Sequence, residues 1–125
     1  MRTSVVALIV CLTLCSASSF AQGTAKLSTI QGIVVDIGSY VQYGMKPDTE
    51  DRKGIAVASA NAGNPLGILE QKTGKIYIVT MNQQNTNPNS TLQPFLGIKI
   101  FAKGKIFKRG SVQVILLSDI GKSAT

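Results

Sequence analysis

Between Lys99 and Arg109 every second residue is basic or aromatic: Lys99, Phe101, Lys103, Lys105, Phe107 and Arg109. Ile98, Ile100, Ala102 and Ile106 take positions between them or just before. On an extended strand residues two apart share a face, so the six form one row and the apolar residues another. Cationic heads interleaved with rings can hold an anionic polymer by charge while the rings stack on bases or sugars. The same row also fits a solvated strand whose phenylalanines cover one end of a small barrel. Both readings stand on the sequence.

Other chemistry is sparse. The chain has no His and no Trp, and its acidic residues number 6. Serine or cysteine nucleophiles paired with histidine are therefore excluded. A zinc, copper or haem site lacks its commonest ligands, so neither metal nor cofactor is expected. Asp36 with Glu70 or Asp119 could divide acid and base roles in a carboxylate-based hydrolase. Against that, an Asp in an apolar run commonly bonds to local backbone amides. Asp48, Glu50 and Asp51 could offer oxygen ligands to calcium, but the glycine and distal glutamate of an EF-hand loop are missing. The stretch 48–53 reads as a solvated loop. The amide-rich run Met81–Ser90 suits a carbohydrate-contacting loop or an ordinary surface one.

The elements that must position these groups begin after an export signal. Arg2, the apolar run Val5–Cys15 and the small residues before Gln22 have the three-part form of a secretory signal peptide. The expected division is 1–21 signal peptide and 22–125 one small domain, placed in the periplasm or outside the cell. Both cysteines, Cys11 and Cys15, fall in the signal, so the domain must fold without disulfides. Of 13 basic side chains only Arg2 is removed with it, leaving a clear excess over the 6 acidic ones. That excess favours anionic partners and also keeps a small protein soluble.

A first strand is expected over Ile30–Val41, bent at Gly38. A helix of small residues follows over Gly54–Gly63, stopped by Gly63 and Pro65. Leu66–Leu69 and Ile76–Thr80 form a hairpin about the Lys72–Lys75 turn. A helical turn starts near Asn89, whose neighbours are good N-cap residues. Two final strands, Ile98–Phe107 and Val112–Ile120, complete the set, with Gly104 at a bulge and the last strand apolar on both sides. This order predicts a mainly β protein: a small five-stranded OB-fold-like barrel with one or two short helices. A five-stranded sandwich is the rival.

Several segments also resemble a family. Gly32-Ile33-Val34-Val35-Asp36, Ala60-Asn61-Ala62-Gly63-Asn64-Pro65-Leu66-Gly67-Ile68-Leu69, Gly97-Ile98-Lys99-Ile100 and Lys103-Gly104-Lys105-Ile106-Phe107 are similar to those of a group of small exported bacterial OB-like proteins. The resemblance spans nearly the whole domain and implies that barrel. Many members carry a cysteine at the exit of the first strand and a pair spaced four apart in the helix. Ser39, Ile55 and Ser59 stand at the matching places, which removes the thiols that a metal or redox role would need.

Three functions follow as expectations. The first is a non-enzymatic binding module that uses the Lys99–Arg109 row on an anionic glycan, a lipid surface or another envelope protein; export makes intracellular nucleic acid an unsuitable partner. The second is a structural envelope protein with no ligand site. The third is the carboxylate-based hydrolase.

Overall fold

In the computed structural model, which describes residues 25–83 and 86–124, the first apolar run builds strand β1, Leu27–Asp36. The expected signal segment lies outside the described residues. Ile30 and Val34 of β1 are buried in the core. The strand does not continue to Val41. Asp36 is the N-cap of helix α1, Ile37–Tyr43, with one carboxylate oxygen accepting from the Gly38 amide at 3.2 Å and the other from Ser39 Oγ at 2.6 Å. Gly38, expected to bend a strand, sits in the first helical turn instead. The alternation of Ile33, Val35 and Ile37 suits a strand, but a capping carboxylate redirects the backbone where the alternation cannot. Gly44 closes α1 in the left-handed region at φ 66°.

The charged stretch 48–53 is a loop only as far as Thr49, and its remainder is helical. Thr49 caps helix α2, Glu50–Asn61, by accepting from the Arg52 amide at 3.3 Å. Glu50 and Asp51 lie in the first turn, where negative charge opposes the helix dipole favourably. Arg52 pairs with Asp48 and Lys53 with Glu50, each at 2.8 Å. The alanines expected to bring a helix close to a sheet do so, since Ala56 and Ala60 are buried against the barrel.

Strands β2, Leu66–Glu70, and β3, Ile76–Met81, form the expected hairpin, with Gly67 opposite Ile78 and Ile68 opposite Tyr77. Gly67 lets α1 approach: a Cβ there would lie 2.8 Å from Ile37 Cδ1. Helix α3, Pro88–Leu92, and a 3₁₀ turn, Gln93–Phe95, occupy the place of the expected helical turn. Its cap is Asn87, two residues before the expected Asn89. Asn89 is buried, and its amide works elsewhere. It accepts from the Leu66 amide at 2.9 Å and donates to the carbonyls of Ala60 and Asn64 at 3.2 and 2.8 Å.

Strands β4, Lys99–Arg109, and β5, Val112–Lys122, are the longest elements after α2. The five strands close into a barrel in the order β1-β2-β3-β5-β4, with β4 returning to β1. Only β3 and β5 run parallel among these pairs. The mainly β small barrel is as the sequence implies, with three short α-helices where one or two were expected. The bulge at Gly104 is present as a register shift between Lys103 and Gly104. Strand β5, apolar on both sides, lies between β3 and β4, and its outward apolar residues remain partly exposed, with Val112 at 51%.

The two ends of the barrel differ. At one end Leu92 and Leu96, both buried, plug the interior, with α2 packed beside them. At the other the chain reverses twice, between β2 and β3 and between β4 and β5.

Candidate functional site

The row Lys99, Phe101, Lys103, Lys105, Phe107 and Arg109 lies on β4 and points outward, because Ile100, Ala102 and Gly104 are buried on the inner side. Its neighbours are Thr29 and Asp119 across from Lys103, Leu27 and Leu116 across from Lys105, and Val114 across from Phe107. Among the described residues the lysines of the row and Arg109 have no acidic partner at salt-bridge distance. Among the described residues the ion pairs are Arg52–Asp48 and Lys53–Glu50, both on α2 and the loop before it.

The two rings in the row are not equivalent. Phe107 is 46% exposed, on a stretch of β4 that has run past the last residue paired with β1. Phe101 is only half-exposed and covers Gly121 on β5. The structure thus brings the cations together as the alternation predicts, while assigning Phe101 a packing role.

The carboxylates considered for hydrolysis do not converge. Asp36 is committed to capping α1 at the plugged end. Glu70, opposite Gly32, lies four residues back along β1, about 13 Å away at strand spacing. There its carboxylate accepts from Thr73 Oγ and, at 3.5 Å, from the Tyr77 hydroxyl. Burial, and then the charge and hydrogen bond of Glu70, raise the Tyr77 phenol above its ordinary pKa, so it stays a neutral donor. Asp119 is exposed on the outer face of β5. No group of three or more His, Cys, Asp or Glu among the described residues is arranged to hold a metal ion.

The amide-rich run divides. Asn82 and Gln83 are exposed, residues 84–85 lie outside the described residues, and Asn87 and Asn89 serve the fold as above.

Reasoning along one strand missed the residues that the turns add. Lys26, Lys72, Lys75 and Lys108 are exposed and lie with Arg109 at the turn-bearing end. Two shallow hollows lie nearby. One, about 470 Å³, runs from Leu27 and Lys105 past Leu116 to Met81, Asn82 and Gln83 at the exit of β3, away from the turns; the other, about 410 Å³, lies at the turn-bearing end between Thr29, Gln31, Glu70 and Lys72. The available signal was positional: lysines in both hairpin turns of an antiparallel series fall on one side.

No family model, curated protein or solved structure matches the chain.

Proposed function

We propose that the protein is an exported, non-enzymatic binding module that holds an anionic partner on the outer face of β4. The observation that carries this reading is the row of Lys99, Lys103, Lys105 and Arg109 without ion-pair partners, beside the exposed ring of Phe107. Unpaired cations on a rigid strand present fixed charge to a polyanion at little ordering cost. Export rests on the three-part N-terminal pattern. The strand order, the single parallel contact and the helix between the third and fourth strands support placing the barrel with OB-like folds, whose sheet faces bind extended polymers.

The test is retention on an immobilised sulfated glycan across a salt gradient. The wild type is retained and elutes earlier as salt rises, as a screened contact must. The variant Lys99→Glu, Lys103→Gln, Lys105→Glu loses retention. Glutamine is chosen at 103 because Asp119 stands opposite, and a second carboxylate there would repel it across the ladder. Each exposed change alters stability by no more than about 0.5 kcal/mol. A variant retained as well as the wild type would return this face to plain structure, the role of a structural envelope protein.

A further inference from the structure

We infer that the anionic partner is the surface of an acidic lipid bilayer, met end-on by the turn-bearing end of the barrel; this rests on the anionic-partner reading above and names its partner.

Ile78 of β3 lies beside Val114 of β5 in a parallel pair. Counting two residues back on each strand brings Ile76 level with Val112, so the Lys72–Lys75 turn stands next to the Gly110-Ser111 turn. The last residue of β4 paired to β1 is Lys105, opposite Leu27. Beyond it the β4–β5 hairpin continues as two strands through Arg109 and Val112, projecting past its neighbours on the β1 side. The Ile106 amide reaches the Lys26 carbonyl at 3.4 Å, so the start of the described chain borders the same projection.

The charge carried there is lopsided. Lys26, Lys72, Lys75, Lys105, Lys108 and Arg109 gather at this end, and Glu70 is the acidic residue among them. At the plugged end Asp36, Asp48, Glu50 and Asp51 are offset by Lys46, Arg52, Lys53, Lys99 and Lys122, with Asp48 and Glu50 paired to Arg52 and Lys53. The net positive charge is therefore concentrated at the turns.

Apolar exposure adds the second half. Leu27 is 51% exposed, Phe107 46% and Val112 51%, all at this end and each adjacent in sequence or register to a basic residue. Phe107 precedes Lys108, and Val112 faces Arg109 across the ladder. Of the other large exposed apolar residues, Ile78 lies on the wall of β3, and Val41, Tyr43 and Ile55 lie on the two helices, where Arg52 and Lys53 are already paired with Asp48 and Glu50. Apolar side chains ringed by lysine and arginine match a bilayer boundary, where charge meets acidic headgroups and the rings enter the acyl edge. A soluble glycan would use the charge and stack on Phe107, but would leave Leu27 and Val112 with nothing apolar to contact.

The experiment uses protein expressed from the full sequence, in the form its host yields. Sedimentation is measured with vesicles of phosphatidylcholine alone and with a third of phosphatidylglycerol. All variants share the N-terminal segment, so its own affinity for lipid cancels between them. The wild type partitions onto the acidic vesicles and not onto the neutral ones. Lys72→Ser, Lys75→Ser, Lys108→Ser together weaken that partition by about a hundredfold, at roughly fivefold per charge. Lys46→Ser, Lys53→Ser, Lys122→Ser, which removes equal charge from outside the β4 row and away from the turns, leaves it within about threefold.

Depth is read separately. The chain has no tryptophan, so Phe107→Trp and Tyr43→Trp each provide one reporter. Emission of the first shifts to the blue on acidic vesicles, and that of the second does not. Equal loss in the two lysine triples, or a shift in the Tyr43→Trp reporter alone, overturns the end-on contact. Retention on the sulfated glycan with no vesicle partition overturns the lipid surface while the anionic-partner reading stands. Failure of both probes overturns both.

Discussion

The ring of Phe101 occupies the space above Gly121 that a side chain there would need: a Cβ on Gly121 would sit 2.7 Å from Phe101 Cε1. The two residues are directly opposite on β4 and β5. An aromatic ring laid over a cross-strand glycine covers backbone that the glycine leaves bare. Phe101→Ala should cost about 2 kcal/mol in urea unfolding, less than a fully buried phenylalanine because the ring is half-exposed. Gly121→Ala should also destabilise, by forcing the ring aside. Combining them should cost less than their sum, since the alanine then meets no ring. Full additivity would show that the ring does not lie on the glycine.

Asn89 joins α2, the start of β2 and α3 through one buried amide. Asn89→Ala removes the partner of the Leu66 amide and of the Asn64 carbonyl, while the Ala60 carbonyl keeps the Gly63 amide, with an expected loss of about 2–4 kcal/mol by urea unfolding. Asn89→Asp keeps the acceptor and loses both donors, so it should rescue little. A loss under about 0.5 kcal/mol for either would place the amide outside the core.

The Asp36 carboxylate ends β1 and begins α1. Asp36→Ala should cost about 1–2 kcal/mol, whereas Asp36→Ser, which can still cap, should recover about half. Circular dichroism and urea titration on the pair measure this. Equal losses would show that packing, and not the cap, matters at this position.

Tyr77 gives the fold an alkaline limit. Its phenol pKa is raised in the folded state, first by burial and then by the charge and hydrogen bond of Glu70. The folded protein therefore holds this proton more tightly than the unfolded chain does. The stabilisation is complete below the ordinary value of 10.0 and is lost as pH rises from there through the folded value. Unfolding free energies measured from pH 8 to 12 should fall more steeply above about 10 in the wild type than in Tyr77→Phe. Identical slopes would mean that the phenol ionises freely.

Asp48 and Glu50 bind the cationic side chains of Arg52 and Lys53, so their oxygens are engaged within the helix start. Adding a chelator should leave the thermal midpoint unchanged, and so should a reductant. A fall of several degrees with chelator would indicate a cation bound by carboxylates, with this segment the first to probe.

The fold was readable wherever a residue pattern had a single geometric answer. The hairpin about Lys72–Lys75, the inward and outward alternation of β4 and the bulge at Gly104 each follow from local chemistry. The misreadings arose where two patterns overlapped. Ile33, Val35 and Ile37 continue a strand alternation, yet Asp36 caps a helix within it. Thr49 followed by Glu50 and Asp51 is both a polar loop and a helix start, and the ion pairs to Arg52 and Lys53 favour the helix. For the candidate site, the row on β4 needs only period two, so it was visible. The role of Phe101 was not, because it depends on Gly121, twenty residues away. The gathering of lysines at the turn end depends on barrel closure and register, which no local pattern contains.

Strand β5 is the last element and touches both β3 and β4, while β4 alone returns to β1. Until these two strands exist, β1 and β3 are the bare edges of a three-stranded sheet. Closure therefore waits on Val112–Lys122, the last of the five described strands to be made. Until β5 has been made the chain remains an open sheet. A chain shortened before β5 would present two unpaired edges, ready to add strands from other copies.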